Sequence, residues 1–237
     1  MADKKVGVWV TGASSGIGKD AAKEFARTGF KVFASARRIN ELERLNDELS
    51  KEKLSVEIFP CNVASYTNVQ QVVKKITENQ KISCIINNAG ITTFKSAEEN
   101  SVKEITDIIN TNLLGSIYTI KYLLPHFIKN NGGTIINVLS TAAKKIFTES
   151  SAYTASKLGM LGYANVLREE VRKYNIRVIN VIPGATQTPM WSFETRKEHG
   201  YKMMTTENVA RTLVWLYLQQ DNIVAEEIVL RPMEGDI

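Results

Sequence analysis

The stretch Thr11-Gly-Ala-Ser-Ser-Gly-Ile-Gly18 constrains this chain more than any other. A short apolar, β-rich run, VGVWV (6 to 10), precedes it. A helical pattern through Ala21, Ala22, Phe25 and Ala26 follows and ends at Gly29. A glycine turn between a strand and a helix opens a βαβ unit. Gly12 serves the tight turn out of the strand, Gly16 lets an anion approach the backbone, and Gly18 lets the helix pack closely on the sheet. The N–H groups at the start of that helix, with its positive end, suit the pyrophosphate of a dinucleotide.

The alternation continues. Strands are predicted at 31 to 36, 56 to 59, 84 to 88, 134 to 140, 177 to 182 and 226 to 230. Helices are predicted through Leu42, Leu45 and Leu49, and over roughly 68 to 79, 99 to 109, 112 to 129, 152 to 174 and 206 to 219. Residues 184 to 205 read as irregular. Near-continuously apolar strands separated by helices predict an α/β fold, a doubly wound parallel sheet covered on both faces. With 237 residues, neither a linker nor a short repeat, the economical reading is one domain, 1–237.

Composition narrows the function classes. The chain is 43% hydrophobic, enough for a large core, yet no apolar run approaches the ~20 residues of a membrane span. The N-terminus lacks a signal-peptide pattern, so a cytoplasmic protein is expected. Cys61 and Cys84 have no ligand spacing, and His126 and His199 are far apart, so no metal site is expected. The net charge of +5 comes without basic runs interleaved with aromatics, so no nucleic-acid partner is expected.

The second strand ends in Ser35-Ala-Arg-Arg38. An acidic residue there would bind ribose hydroxyls and repel a 2′-phosphate; a guanidinium would bind that phosphate. NADP(H) is therefore expected over NAD(H), with Arg37 as principal determinant helped by Ser14 or Ser15, and Arg38 as a weaker candidate. Tyr153 and Lys157, four apart, share a helix face. An ammonium beside a phenol favours the phenolate, which predicts a lowered tyrosine pKa and acid–base chemistry.

These motifs occur in order with Asn87-Asn88-Ala89-Gly90 after the fourth strand, Asn112 in NTNLLG, Ser140 at the end of the fifth, and Pro183-Gly184 after the sixth. Along nearly its whole length the chain resembles the short-chain dehydrogenase/reductase family. The resemblance implies a Rossmann-type, seven-stranded, three-layer fold and a catalytic tetrad of Asn112, Ser140, Tyr153 and Lys157. It implies cofactor contacts from Gly12, Ser14, Ser15, Gly16, Ile17, Gly18, Arg37, Arg38, Asn62, Val63, Asn88, Ala89, Gly90, Tyr153, Lys157, Pro183, Gly184 and Thr188, with Ile182 nearby. Asn62 stands where the family often has an aspartate facing adenine, and keeps an acceptor oxygen.

The resemblance also implies a substrate lid, here about 185–205. Met190, Trp191, Phe193, Tyr201, Met203 and Met204, with Phe94 and Phe147, are expected to wall the carbonyl site. Lys144, Lys145, Arg196 and Lys197 are candidates for attracting an anionic substrate. The ending EEIVLRP resembles NADP-dependent 3-hydroxy acid dehydrogenases, so a small 3-hydroxy or 3-oxo acid, or a similar ketone, is the expected substrate. The alternative is a 3-oxoacyl chain on an acyl carrier protein, docked by Lys129, Arg172 and Lys173. A non-catalytic dinucleotide sensor or scaffold is a further alternative, disfavoured because all four tetrad residues are present. A homodimer or homotetramer is expected through the helices at 112 to 129 and 152 to 174, with Tyr118, Tyr122, Met160, Tyr163 and Leu167 at the interface.

Overall fold

Helices separate every pair of successive strands in the computed structural model, which describes residues 6–219 and 223–235. The order is β1 (Gly7–Thr11), α1 (Gly16–Arg27), β2 (Lys31–Ala36), α2 (Ile39–Ser50), β3 (Glu57–Pro60), α3 (Tyr66–Glu78), β4 (Ile82–Asn87), α4 (Val102–Ile108), α5 (Gly115–Lys129), β5 (Gly133–Val138), α6 (Ser151–Val171), β6 (Ile176–Pro183), α7 (Phe193–His199), α8 (Thr206–Leu218) and β7 (Glu227–Leu230). The strands form one seven-stranded sheet in the order β3-β2-β1-β4-β5-β6-β7. Every pairing is parallel. The strand order reverses between β1 and β4, and ligands bind such sheets at the carboxyl ends beside that reversal.

Two apolar layers flank the sheet. Val8 and Val10 of β1 face Ala22, Phe25, Leu42, Leu45 and Leu213, so α1, α2 and α8 cover one side. Trp9 points the other way, to the layer holding Val72, Ile120, Phe127, Met160 and Leu167 of α3, α5 and α6. The period-2 alternation of a strand sends successive side chains to opposite layers, and both are buried here. Among the described residues, no helix is long and apolar enough to cross a membrane.

Three sequence expectations change. The segment 184 to 205, read as irregular, contains α7 and a short 3₁₀ turn, Gly200–Lys202. Ser192 caps α7 by accepting from the Thr195 N–H; seven residues show too little apolar periodicity to be read as a helix. The helices expected at 99 to 109 and 112 to 129 run as one rod, joined by a π-helical segment, Ile109–Leu114. Met160 and Leu167 are buried in the core, so they cannot form an interface between subunits. They lie seven apart on the face of α6 that meets the sheet. The outward apolar residues of α6 are Leu158 and Val166, 48% and 62% exposed.

One polar feature runs through the buried middle. Asn87, Asn137 and Asn180 stand opposite one another on β4, β5 and β6. Asn87 Nδ2 donates to Asn137 Oδ1 at 3.0 Å, and Asn137 Nδ2 to Asn180 Oδ1 at 3.1 Å. Thr119 on α5 donates to Asn87 Oδ1 at 2.7 Å. The ladder ties together the three strands whose carboxyl ends carry the site.

Candidate active site

A cleft of about 760 Å³ opens along the carboxyl edge of the sheet. Gly12, Ser14, Ser15 and Ile17 of the glycine turn line its floor, while Gly16 and Gly18 lie behind them. Gly12 and Gly16 have φ of +68° and +57°, the left-handed region that glycine enters without cost. Gly18 is required by contact: a Cβ there would lie 2.3 Å from Asn88 Nδ2 and 2.5 Å from the Gly12 carbonyl oxygen. Thr11 and Asn88 hold this turn against the loop after β4. The Asn88 and Ala89 N–H groups donate to Thr11 Oγ1 at 3.1 and 3.2 Å. Asn88 Nδ2 donates to the Thr11 carbonyl at 3.1 Å. Sequence reading placed Asn88 on the cofactor path; the structure adds this clamp, which only the folded proximity of β1 and β4 reveals.

The N-terminus of α1 is bare. Ser15 occupies the cap position without a side-chain cap bond, and the first turn has no acidic residue. That end can accept an anion. At the same edge Arg38 Nη2 donates to Ser14 Oγ and Ser15 Oγ at 2.9 and 3.0 Å. Arg37 is exposed and also lines the cleft. No Asp or Glu lines the cleft among the described residues. The donor set therefore fits a dinucleotide carrying an extra phosphate at this corner. Of the two arginines, Arg38 is the one held against the serines, although Arg37 was the stronger candidate from sequence.

Of the other residues expected to hold the cofactor, Ile17, Asn62, Val63, Ala89, Gly90, Pro183, Gly184 and Thr188 all line the cleft. Asn62 Oδ1, the acceptor expected to face adenine, accepts from the Ala64 N–H at 3.2 Å and so closes a turn. Thr188 rests on the glycine turn, its Cγ2 only 3.2 Å from where a Cβ on Gly16 would lie.

The tetrad candidates converge at the centre. The Ser140 side chain hydrogen-bonds Tyr153 and accepts from the Ala142 N–H at 3.2 Å. Lys157 Nζ donates to the Val138 carbonyl at 2.9 Å and lies 5.6 Å from the centre of the Tyr153 ring. Asn112 sits in the π-helical segment, a deformation frequent at functional sites. Its Oδ1 accepts from the Ile91 N–H at 2.8 Å, and its Nδ2 donates to the Ile91 carbonyl at 2.9 Å and to Ser156 Oγ at 3.1 Å. Asn112 thus pins the loop after β4 beside Lys157. A Cβ on Gly90 would stand 3.4 Å from Asn112 Oδ1 and 3.7 Å from Lys157 Nζ.

The electrostatics correct one expectation. Burial pushes the Tyr153 phenol above its ordinary value, and only the Ser140 hydrogen bond acts the other way. Burial also lowers Lys157, to about 8. Lys157 is not among the groups that shift Tyr153; burial, which disfavours both charged forms, sets the direction at each.

The substrate side is walled by fewer residues than expected. Phe94, Phe147, Met190 and Trp191 line the cleft, while Phe193 and Tyr201 are exposed away from it and Met203 is buried. Backbone bonds from Met204 to Ala185 and from Gln187 to Met204 close the 185–205 loop on itself. Sequence reading missed Thr92, Thr141 and Thr148 on the same wall. Their hydroxyls carry no spacing signal and are gathered only by the topology. Lys144, Lys145, Arg196 and Lys197 do not reach the cleft. Lys144 pairs with Glu227 at 2.7 Å, and Arg196 turns back to the Ser192 carbonyl.

A glycine-floored dinucleotide cleft at the strand reversal, with a Ser–Tyr–Lys centre on its edge, defines a nicotinamide-type oxidoreductase site. A family model described as short chain dehydrogenase matches residues 7–199, and the chain belongs to the short-chain dehydrogenase family. A sepiapterin reductase from Chlorobaculum tepidum is 34% identical over 236 residues, covering 96% of each chain. An NADP-dependent 3-hydroxy acid dehydrogenase from Schizosaccharomyces pombe is 30% identical over 241 residues, covering 95% of this chain and 92% of the other. Among solved structures, the closed form of a serine dehydrogenase complexed with NADP+ superposes with a TM-score of 0.90 at 25% identity, covering 98% of this chain and 97% of that one.

Proposed function

We propose that this protein transfers a hydride between NADP(H) and a carbonyl compound or secondary alcohol. The observation that carries the reading is the Ser140–Tyr153 hydrogen bond with Lys157 behind it, in one cleft with the bare α1 terminus. The Arg38–Ser14–Ser15 corner supports NADP(H), as do the S. pombe relative's name and the NADP+ held by the serine dehydrogenase. Arg38 and Arg37 together take the 2′-phosphate, and the α1 terminus takes the pyrophosphate.

The cofactor, when bound, supplies the hydride at nicotinamide C4. The rest falls to the chain. The Ser140 hydroxyl donates to the substrate carbonyl oxygen and polarises it. Tyr153 gives its phenolic proton to the alkoxide as it forms, or removes one from an alcohol. Burial raises the Tyr153 phenol, which holds the proton that reduction requires. Lys157 holds the nicotinamide ribose and stabilises the phenolate. Asn112 positions the Ile91 loop and, by its place beside Lys157, a proton path to solvent. The loop 185–205 acts as the substrate lid of a single domain.

The relatives' names divide the substrate between sepiapterin and a 3-hydroxy acid, and both name an oxidoreductase. A carrier-bound thioester has less support, since Arg172 of the expected docking patch is engaged by Glu169 and Glu226. Self-association through α5 and α6 is supported by exposed Leu158 and Val166 and by part-exposed Tyr118, Tyr122 and Tyr163. Light scattering distinguishes dimer from tetramer. The activity is tested by following NADPH absorbance with a panel of aldehydes and ketones. Tyr153→Phe should lower turnover by about 10²–10⁴-fold while NADPH binding persists. Unchanged turnover in that variant would overturn the mechanism.

A further inference from the structure

We propose that the substrate is a flat, uncharged carbonyl compound, and that Phe94 and Trp191 select it. The inference rests on the hydride-transfer reading above and narrows its substrate. Trp191 from the lid stacks on Phe94 from the loop after β4, with ring centres 4.9 Å apart and planes 15° from parallel. Two segments that share no secondary structure are thus joined by a flat aromatic wall over the cleft. Phe94 remains 48% exposed, so aromatic surface is available to a ligand. A planar conjugated group gains by offset stacking on such a wall, whereas a short aliphatic chain gains only by area.

Charge decides the second half of the proposal. The substrate side is lined by Thr92, Phe94, Phe147, Thr148, Met190 and Trp191, all neutral. Among the described residues, the cations lining the whole cleft are Arg37 and Arg38 at the distant corner and Lys157. Lys157 is turned into the protein toward the Val138 carbonyl. Behind that lining the Lys145 ammonium stands over the Phe147 ring, 5.7 Å from its centre, and is not itself one of the wall residues. A carboxylate drawn in among the lining side chains would lose water and find no guanidinium or ammonium among them, a heavy penalty. An uncharged ketone of the same shape meets none. In the reaction the carbonyl carbon takes the hydride from NADPH and its oxygen takes the Tyr153 proton, so the C=O π bond is replaced by C–H and O–H bonds and NADP+ is released.

A matched set tests both halves: methyl benzoylformate, benzoylformate and butane-2,3-dione, each with NADPH. The ester and the acid share a planar skeleton and differ in charge; the dione is small and not aromatic. The ester should exceed the acid in kcat/KM by on the order of 100-fold. Trp191→Ala and Phe94→Ala should each lower the ester-to-dione ratio of kcat/KM by roughly three- to tenfold. An acid turned over as well as its ester, or a ratio unmoved in both variants, overturns the proposal while leaving hydride transfer standing. NADPH oxidation with none of the three overturns both.

Discussion

The Lys157 ammonium donates to the Val138 carbonyl at 2.9 Å and is only 6% exposed. The site holds a cation where burial opposes it, and this has a cost in stability. Lys157 falls from 10.5 to about 8 on folding. The unfolded chain therefore binds this proton more tightly, and the native state is penalised at every pH below about 8. The penalty is relieved as pH rises from about 8 to 10.5, where both states become neutral. Its size is about 3 kcal/mol, less ~1 kcal/mol for the hydrogen bond to Val138. Lys157→Met should thus abolish turnover yet raise the melting temperature at pH 7 by roughly 4–8 °C. Calorimetry at pH 7 and pH 10 checks this: the gain should shrink at the higher pH. A gain equal at both values would place its origin in packing, not charge.

Ser140 touches Tyr153 directly, and its hydrogen bond is the one influence that lowers a phenol raised by burial. Ser140→Ala removes it, so the phenol should titrate at higher pH still. Alcohol oxidation needs the phenolate and should rise with pH; carbonyl reduction needs the phenol and should fall as pH rises through the same pKa. In the Ser140→Ala variant both limbs should move to higher pH, alongside a loss of about 10²–10³-fold in kcat. pH–rate profiles of kcat in both directions read this shift. A variant slower by that factor with unmoved limbs would confine Ser140 to the substrate oxygen.

Arg38 is held between Ser14 and Ser15, while Arg37 stands free of such contacts in the same cleft. A charge-assisted hydrogen bond to a phosphate contributes about 1.5–3 kcal/mol. Arg38→Ala should accordingly raise the NADPH KM by roughly 10- to 150-fold, with an effect of threefold or less for NADH. Arg37→Ala should act in the same direction, by about the same factor or less. Steady-state kinetics with both cofactors decides the order of the two. Equal effects of Arg38→Ala on NADPH and NADH would mean that the guanidinium meets no 2′-phosphate.

The parts of this molecule legible in its sequence share one property: each is written in local order. The glycine turn lies between a period-2 run and a period-3.6 run, so its place at a strand–helix junction follows from its neighbours. β2 is bounded in the sequence by Gly29 before it and the Arg37–Arg38 pair after it, around the largely apolar run KVFASA. Tyr153 and Lys157 share a helix face by spacing alone. What stayed hidden depends on distance in sequence. Phe94 and Trp191 are 97 positions apart in the sequence, and their pairing follows only from the sheet order. Met160 and Leu167, expected at an interface, are buried because the sheet takes their face of α6, which local order does not reveal. A charge four residues from Tyr153 is visible in the sequence, whereas the burial that raises its phenol is supplied only by the folded core.

Asn137 lies at the centre of the amide ladder, 1% exposed, and makes one bond to each side. β5 would otherwise read as Ile135, Ile136 and Val138, a plain buried strand. Asn137→Leu keeps a similar volume but leaves the Asn87 amide donor and the Asn180 amide acceptor without partners in a dry interior. Each such group costs about 1–3 kcal/mol, so the variant should lose roughly 2–5 kcal/mol in urea unfolding, with an unchanged slope. Replacing Asn87, Asn137 and Asn180 together by leucine removes those partners as well and should recover much of the loss, since a matched apolar set leaves fewer orphaned groups. The two variants should diverge in function. Recovered stability without recovered kcat would show that the ladder sets the register of the strand ends bearing Gly90, Ser140 and Gly184, a task that leucines pack around but do not specify.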